Sequence, residues 1–295
     1  MLDAVEHRPL VRVAAIEVLK KIHCYEAIDP LAVLAVQTDP AVYGPALDGL
    51  RGIADPDRHD LPRLLALVPK AAPGRHRDEV EKTIQVVCEK LPPGTDRAEP
   101  VLQALKASEG PVPAIYLPLL GRLGGPKALA IVEAASRSED PATRRAAAIA
   151  LCNWPTADVA DKLLALATRA PDKALGRRAL RAYIRVVSRK SGRPEKETLA
   201  MLQRAFRLAT VPEDKRLVLR RAAAVRTMES VEWLASFLDD PELAPAACES
   251  IVELAHHRFL RQPNIDRFRP ILEKVIRTSQ DPVVIERAKR AKLGL

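Results

Sequence analysis

Six Asp-Pro dipeptides recur along the chain, and most of them precede a stretch in which apolar residues return at helical spacing. An aspartate side chain can cap the free backbone N–H groups at the start of a helix, and proline fits the first helical position, where its missing N–H has no partner to lose. A chain that starts helices this often must be built from many short helices. The dipeptides begin at Asp29, Asp39, Asp55, Asp140, Asp240 and Asp281.

The starts of the more apolar helices recur at a regular interval. Eight intervals separate nine such starts, and each spans about 34 residues, a period typical of solenoid repeats. Each interval has room for two helices and two turns, which predicts an all-α, right-handed α-solenoid of about eight to nine helix pairs. We expect residues 1–295 to form one array with a candidate hinge near residues 188–195. The starts are Pro9, Pro40, Gly74, Pro111, Pro141, Pro171, Pro212, Pro241 and Pro282.

Two of these helices begin with a shared motif. Residues 9–15 read PLVRVAA, and residues 140–147 read DPATRRAA and continue as AIAL, with Asp140 rather than Glu139 as the expected cap. An early arginine followed by small residues resembles the second helix of HEAT repeats, whereas the Trp, Leu-Gly and Tyr signature of tetratricopeptide repeats is missing. Residues 120–187 also resemble HEAT arrays that some bacteria attach to exported sugar-hydrolase or cytochrome-like modules. That resemblance implies an accessory array whose chemistry resides in another module.

The composition predicts an interior of small aliphatic side chains. Hydrophobic residues make up 47% of the chain and aromatic residues 3%, so Ala, Leu, Val and Ile must fill the closely packed helix layers. Four cysteines are too few for a disulfide scaffold, and we expect them to be buried, reduced thiols. No apolar run approaches the roughly 20 residues that cross a bilayer, so we expect no membrane insertion.

The two ends of the sequence lack the polar capping repeats that solenoids need. We therefore expect that the array belongs to a longer protein, or that an oligomeric copy or an attached domain covers its ends. The first residues lack the apolar core of a secretory signal, so the compartment is unknown: we expect the cytoplasm by default, or an exported location if the chain is a fragment.

The positive charge of the chain is concentrated in one segment. The net charge is +9, and residues 169–226, the basic segment, hold 17 Lys and Arg against 5 Asp and Glu. The segment therefore carries +12, and the other residues sum to −3. A helical wheel of residues 172–187 separates a cationic face from an apolar face. The predicted binding residues are Lys173, Arg177, Arg178, Arg181, Arg185 and Arg189 of this cationic stripe, followed by Lys215, Arg216 and Arg220.

This cationic stripe has two interpretations. Its arginines can pair with carboxylates of the adjacent repeat, for which Asp158, Asp161, Glu195 and Glu197 are candidates. Alternatively, the stripe lines the concave side and receives an acidic protein or an acidic glycan. Duplex nucleic acid is a further, less favoured polyanion. Single strands fit poorly, because the segment offers only two aromatic platforms for stacking, Tyr183 and Phe206.

No motif in the sequence identifies an enzyme. The chain lacks G-x-S-x-G, P-loop, G-x-G-x-x-G and Cys-x-x-Cys patterns. Glu249, Glu253, His256 and His257 share one side of a helix at metal-ligand spacing, but no second Glu-x-x-His supplies the equivalent ligands that such sites draw from other helices. We predict no catalytic residue, metal or cofactor.

The sequence therefore predicts a non-enzymatic repeat scaffold that binds a protein through its concave surface. One alternative is the binding of a polyanion, either duplex nucleic acid or an acidic glycan, through the basic segment. A less favoured alternative, by resemblance to enzymes built from HEAT-like repeats, is a DNA glycosylase or a lyase. A DNA glycosylase of this kind would need an aromatic-rich cleft with an acidic residue, and neither Trp154 nor Trp233 has such a setting in the sequence.

Overall fold

Short α-helices joined by turns make up the computed structural model, which describes residues 9–56, 60–106, 112–170 and 172–294. Helices account for 74% of the chain, and the described ranges contain no strand, which confirms the predicted all-α class. None of the helices in these ranges combines the length and the apolar character needed to cross a membrane. The chain divides into two compact units, Met1–Pro155 and Thr156–Leu295.

The first unit arranges its helices in two layers. One layer is a row in which α1, α3, α5, α7 and α9 each pack on the next member, and α2, α4 and α8 pack on α3, α5 and α9. Helix α4 also contacts both α2 and α6. In the described part of this unit the helices are α1 (Pro9–Lys21), α2 (Ile28–Ala35), α3 (Pro40–Ile53), α4 (Leu61–Leu65), α5 (Arg75–Cys88), α6 (Glu99–Lys106), α7 (Leu117–Leu123), α8 (Pro126–Ser136) and α9 (Pro141–Asn153).

The second unit repeats this plan. Here the row consists of α11, α13, α15 and α18. Each of these helices packs against the other member of its pair, in the order α10, α12, α14 and α17. The short helix α16 follows α15. Its described helices are α10 (Ala160–Arg169), α11 (Lys173–Val187), α12 (Glu195–Leu208), α13 (Pro212–Ala222), α14 (Met228–Ala235), α15 (Ala244–His256), α16 (Arg258–Arg261), α17 (Ile265–Thr278) and α18 (Pro282–Lys292).

Most row helices begin close to the starts predicted from the sequence, but α7 begins at Leu117, six residues after the predicted Pro111, because a 3₁₀ turn precedes it. A single helix, α1, is followed in the described residues by eight successive helix pairs, as the 34-residue period predicts. Helix α5 begins at Arg75, directly after Gly74, and α15 begins three residues after Pro241. The marks at Pro111 and Pro171 lie outside the described residues. The handedness of the solenoid, the single array and the hinge remain predictions.

Three of the Asp-Pro dipeptides cap row helices. The carboxylates of Asp39, Asp140 and Asp281 each accept a hydrogen bond from the backbone N–H two residues later, at 2.8, 3.2 and 2.8 Å. Asp29 instead lies inside the first turn of α2, because a 3₁₀ turn runs directly into that helix, which begins at Ile28, two residues before Pro30. Asp240 accepts from two N–H groups of the turn before α15. The residues that follow Asp55-Pro56 lie outside the described ranges.

Three of the four cysteines are buried, as the sequence predicts, and one is not. Cys88, Cys152 and Cys248 are buried, and none of the four cysteines forms a disulfide bond. Burial raises the pKa of the Cys88 thiol to about 12 and that of Cys248 to about 11, so both stay protonated at neutral pH. The prediction is wrong for Cys24, which is partly exposed because it lies in the turn after α1 rather than on a helix face.

A close contact between backbones joins α7 and α9. A Cβ atom added to Gly121 of α7 would overlap the backbone of Ala150 of α9. Only glycine allows this approach, since the obstructing atoms belong to the main chain and cannot rotate away. By contrast, Gly44 of α3 has no atom within contact distance of such a Cβ.

Candidate binding surface

Ion pairs connect successive row helices in both units. In each pair a Lys or Arg on one row helix contacts a carboxylate on a neighbouring row helix, at a distance in sequence close to one repeat. In the first unit the pairs are Lys20–Asp48 at 2.7 Å, Arg51–Glu79 at 2.9 Å and Arg122–Glu81 at 3.1 Å; in the second they include Arg220–Glu249 and Arg287–Glu253, both at 3.0 Å. These pairs join neighbouring helices of each row.

The cationic stripe of α11 takes part in this inter-repeat pairing. The Nε atoms of Arg177 and Arg181 each lie 2.6 Å from a different carboxylate oxygen of Asp214 on α13. The side chain of Asp214 is only 2% exposed, whereas those of the two arginines are 41% and 48% exposed. The hydrogen bond to Asp214 raises the pKa of the Arg177 guanidinium. Both arginines therefore hold α13 in place, through a carboxylate that the sequence interpretation did not propose.

Some of the other predicted binding residues contact a neighbouring side chain, and others are exposed to solvent. Arg216 contacts Glu213 at 3.3 Å, and the Lys215 ammonium lies 5.4 Å from the centre of the Phe206 ring. Arg220 makes the pair with α15 described above. Lys173, Arg178 and Arg189 are exposed and Arg185 is half-buried, and the last three also contact neighbouring groups.

The two units differ strongly in charge. Residues 1–155 contain 19 Lys and Arg and 20 Asp and Glu, a net charge of −1. Residues 156–295 contain 28 Lys and Arg and 18 Asp and Glu, a net charge of +10. Both units form the same kind of inter-repeat pair, so the positive surplus belongs to the second unit alone.

A polar cavity lies where α11 leads into α12. It has a volume of about 480 Å³ and is lined by four cationic side chains, by serine and threonine hydroxyl groups and by one carboxylate, that of Glu195. The loop turns at Gly192, whose φ of +68° suits glycine. The cationic side chains are Arg189, Lys190, Arg193 and Arg226. The cavity coincides with the candidate hinge at residues 188–195.

The two aromatic side chains of the basic segment, Tyr183 and Phe206, lie in different surroundings. Tyr183 is buried in the core, 1% exposed, so it offers no surface for stacking and the basic segment fits single strands still less well. Phe206 instead packs against Trp233 and Phe237, with ring centroids 5.7 and 4.7 Å away. Sequence reasoning missed this cluster, although the i,i+4 spacing of Trp233 and Phe237 was a signal.

Two of the four candidate metal ligands, both glutamates of α15, are paired with arginines. Glu249 pairs with Arg220 and Glu253 with Arg287. The hydrogen bond from Arg287 holds the pKa of Glu253 below its ordinary value, while burial lowers the pKa of His257. Throughout the described ranges, no three His, Cys, Asp or Glu side chains converge in a way that could hold a metal ion. His7 and His59 lie outside those ranges.

Comparison with known families agrees with the helix motifs. Residues 98–184 match the family described as HEAT repeats. This segment of the chain is similar to HEAT repeats. The match to the HEAT family runs from α6 into α11 and includes the DPATRRAA motif, so the resemblance predicted from the sequence is confirmed. The further likeness to arrays on exported modules stays a prediction.

Comparisons with individual proteins add little. None of the curated proteins matches the chain. Among solved structures, two engineered proteins are similar to it: one at a TM-score of 0.36 and 18% identity, covering 99% of this chain and 87% of that one, and another at 0.29 and 17%, covering 95% and 96%. These TM-scores are too low to support an argument about fold or function.

Proposed function

We propose that this chain is a non-enzymatic HEAT-repeat scaffold whose basic segment binds an acidic protein partner. The observation that supports this proposal most is the contrast between the two units, −1 against +10, on the same architecture. A surplus of like charge repels itself in the folded protein, so it is unfavourable unless a ligand neutralises it. The position of the binding surface on the concave side of the array is part of the proposal.

The side chains that hold the repeats together are distinct from those that we assign to the partner. Arg177 and Arg181 are committed to Asp214, and Arg220 to Glu249. The partner would meet exposed cations of the basic segment instead. Among these are Lys173, Lys190 and Lys196, which lie in α11, in the loop and in α12. Exposed charges of this kind steer an oppositely charged partner and set the dependence of binding on salt.

A polyanion is the second candidate ligand, and the loop cavity favours it. Four cationic side chains, together with the hydroxyl groups of Ser188, Ser191 and Thr198, are suited to the oxygens of phosphate or sulfate groups. A regular polyanion such as duplex DNA or heparin would bind with a steep dependence on salt.

Charge reversal at exposed lysines tests the proposal without breaking the row. A Lys173→Glu, Lys190→Glu, Lys196→Glu triple variant removes exposed cations of the basic segment and leaves Asp214 paired. The matched control reverses three exposed cations of the first unit, Lys21, Lys70 and Arg137. Fluorescence anisotropy at about 50 mM salt, the low end where such contacts are strongest, measures binding of labelled polyglutamate, heparin and duplex DNA.

The proposal predicts that polyglutamate binds the wild-type chain and the control, and that the variant of the basic segment loses most of this affinity. Stronger binding of heparin or DNA than of polyglutamate would favour the polyanion candidate. Equal losses in the two triple variants, or no binding of any probe, would contradict both candidates.

A further inference from the structure

A second, smaller cavity lies between α15, α16 and α18, outside the basic segment. Its volume is about 220 Å³. Two aliphatic side chains, Val252 and Ala291, and four cationic or imidazole side chains line it, and the described lining contains no carboxylate. The polar lining residues are His256, Arg261, Arg287 and Arg290.

Arg261 is the most deeply buried of these side chains, only 6% exposed. Its Nη1 donates to the carbonyl oxygen of Ala255 at 3.1 Å, and its Nη2 donates to that of Gly294 at 2.9 Å. These two bonds fix the plane of the guanidinium group. Because a guanidinium group stays protonated in proteins, α16 places a permanent positive charge at the wall of the cavity.

Arg287, on α18, is held in place by a carboxylate of α15. Its Nη2 donates to Glu253 at 3.0 Å, and this bond, with nearby His257 and His256, keeps the pKa of Glu253 below its ordinary value. Arg287 therefore contributes donors whose direction is already set. Arg290, one turn further along α18, is exposed and can reach a ligand from the mouth of the cavity.

The aliphatic residues give the cavity an apolar floor. Val252 is 1% exposed and Ala291 4% exposed. Electrostatic attraction is stronger next to such low-dielectric material than in open water. Guanidinium groups present planar forks of N–H donors that match pairs of oxygens on tetrahedral oxyanions, and they do so better than ammonium groups.

We propose that this cavity binds a small oxyanion of the phosphate class through Arg261, Arg287, Arg290 and His256. The same chemistry would accept free phosphate or a phosphate monoester on a larger molecule. The site rests on α15, α16 and α18 and is independent of the proposed role of the basic segment, so either proposal can fail without the other.

Calorimetric titration of the full chain with inorganic phosphate at low ionic strength tests this site. Arg290→Gln removes one cation from the mouth of the cavity, and Lys289→Gln is the matched control, because Lys289 is the exposed neighbouring cation on α18 and does not line the cavity. We expect Arg290→Gln to weaken phosphate binding about tenfold, the effect of losing one charge-assisted hydrogen bond. The control should bind within about twofold of the wild type, because Lys289 does not line the cavity and has no direct contact with the ligand to lose.

Two further measurements locate the ligand. The imidazole resonances of His256 should shift on addition of phosphate, and Arg261→Lys, which keeps the charge but loses the planar fork, should weaken binding if the variant folds. Comparing inorganic phosphate with phenyl phosphate distinguishes a site for the free ion from one for a monoester. Absence of phosphate binding, or equal weakening by Arg290→Gln and Lys289→Gln, would overturn the proposal whatever happens to Arg261→Lys.

Discussion

The row helices of the first unit and those of the second are joined by the same kind of contact. In the first unit Arg51 of α3 pairs with Glu79 of α5, and in the second Arg220 of α13 pairs with Glu249 of α15. Yet the first unit is nearly neutral and the second carries +10. Because a nearly neutral unit builds its row with similar pairs, the positive surplus of the second unit is not a requirement of the fold.

The tightest contacts within each row also differ. The row of the first unit depends on a backbone contact, Gly121 against Ala150, whereas that of the second depends on a buried carboxylate, Asp214, between two arginines. Each unit contains one tryptophan, Trp154 in the first and Trp233 in the second. Fluorescence of single-tryptophan variants can therefore follow the units separately in the experiments below.

The largest effect is expected at Gly121. Gly121→Ala places a methyl group on the backbone of α9, and overpacking of this kind should lower the free energy of unfolding of the first unit by about 3 kcal/mol. Chemical denaturation followed by Trp154 fluorescence measures this change. In the control Gly44→Ala, the methyl group meets no atom beyond the adjacent residues, and the gain in helix propensity is offset by the neighbouring Pro45, so stability should change by less than about 1 kcal/mol. A Gly121→Ala variant as stable as the wild type would refute the backbone contact.

The second effect concerns Asp214. Asp214→Asn should destabilise the second unit by about 2 kcal/mol, since two charge-assisted hydrogen bonds become weaker. The loss stays moderate because both arginines are partly exposed and can be hydrated. Denaturation followed by Trp233 fluorescence measures it. Glu213→Gln is the control: it removes the same charge from an adjacent, 58% exposed position and should change stability by less than about 0.5 kcal/mol.

The third effect is a difference between the two units in their stability at acidic pH. Burial, followed by the charge of Arg226, lowers the pKa of His257 below its ordinary 6.5, so its contribution to stability is present above pH 6.5 and lost as the pH falls through the folded value. In the first unit the pKa of Glu79 is lowered from 4.5, chiefly by Lys82, so that contribution is present above pH 4.5 and lost only at lower pH. The second unit should therefore weaken first on acidification.

Denaturation midpoints measured between pH 7 and pH 4 test this order. His257→Gln should remove the slope that begins near pH 6.5 in the second unit, whereas His256→Gln should leave most of it. The assignment of the slope to His257 is wrong if it persists in His257→Gln.

The smallest effect on stability is expected at the exposed lysines. Lys173→Glu and Lys190→Glu should each change the free energy of unfolding by less than about 0.5 kcal/mol, because they are exposed surface positions. The same variants should reduce the affinity for polyglutamate. A large loss of stability instead would show that these cations belong to the fold.

The arrangement of helix pairs could be predicted from the sequence, because helix caps and apolar periodicity are local signals. Asp140 and Pro141 start α9 through contacts within one turn, and the apolar arc of α11, with Leu175 and Ile184, is buried as its helical period predicts. Caps and periodicity depend on neighbours a few residues apart. The row helices, and thus the positions of the candidate cations, follow from them.

The partners of those cations could not be predicted from the sequence, because they depend on the register between helices. Arg177 and Arg181 meet Asp214 across 37 and 33 residues, and nothing in either segment alone selects that carboxylate. The grouping of Phe206 with Trp233 and the cavity beside Gly192 likewise depend on how successive pairs pack. Sequence reasoning thus located the charge but could not separate structural arginines from exposed cations.

Hydrogen–deuterium exchange of the full chain, with and without polyglutamate at low salt, reports binding segment by segment in both units. We expect the added polyglutamate to slow exchange within the basic segment, around α11, the loop at Gly192 and α12, and to leave exchange in α1 to α9 unchanged. Slowed exchange in the first unit, or equally in both units, would contradict the claim that the basic segment of the second unit is the binding surface.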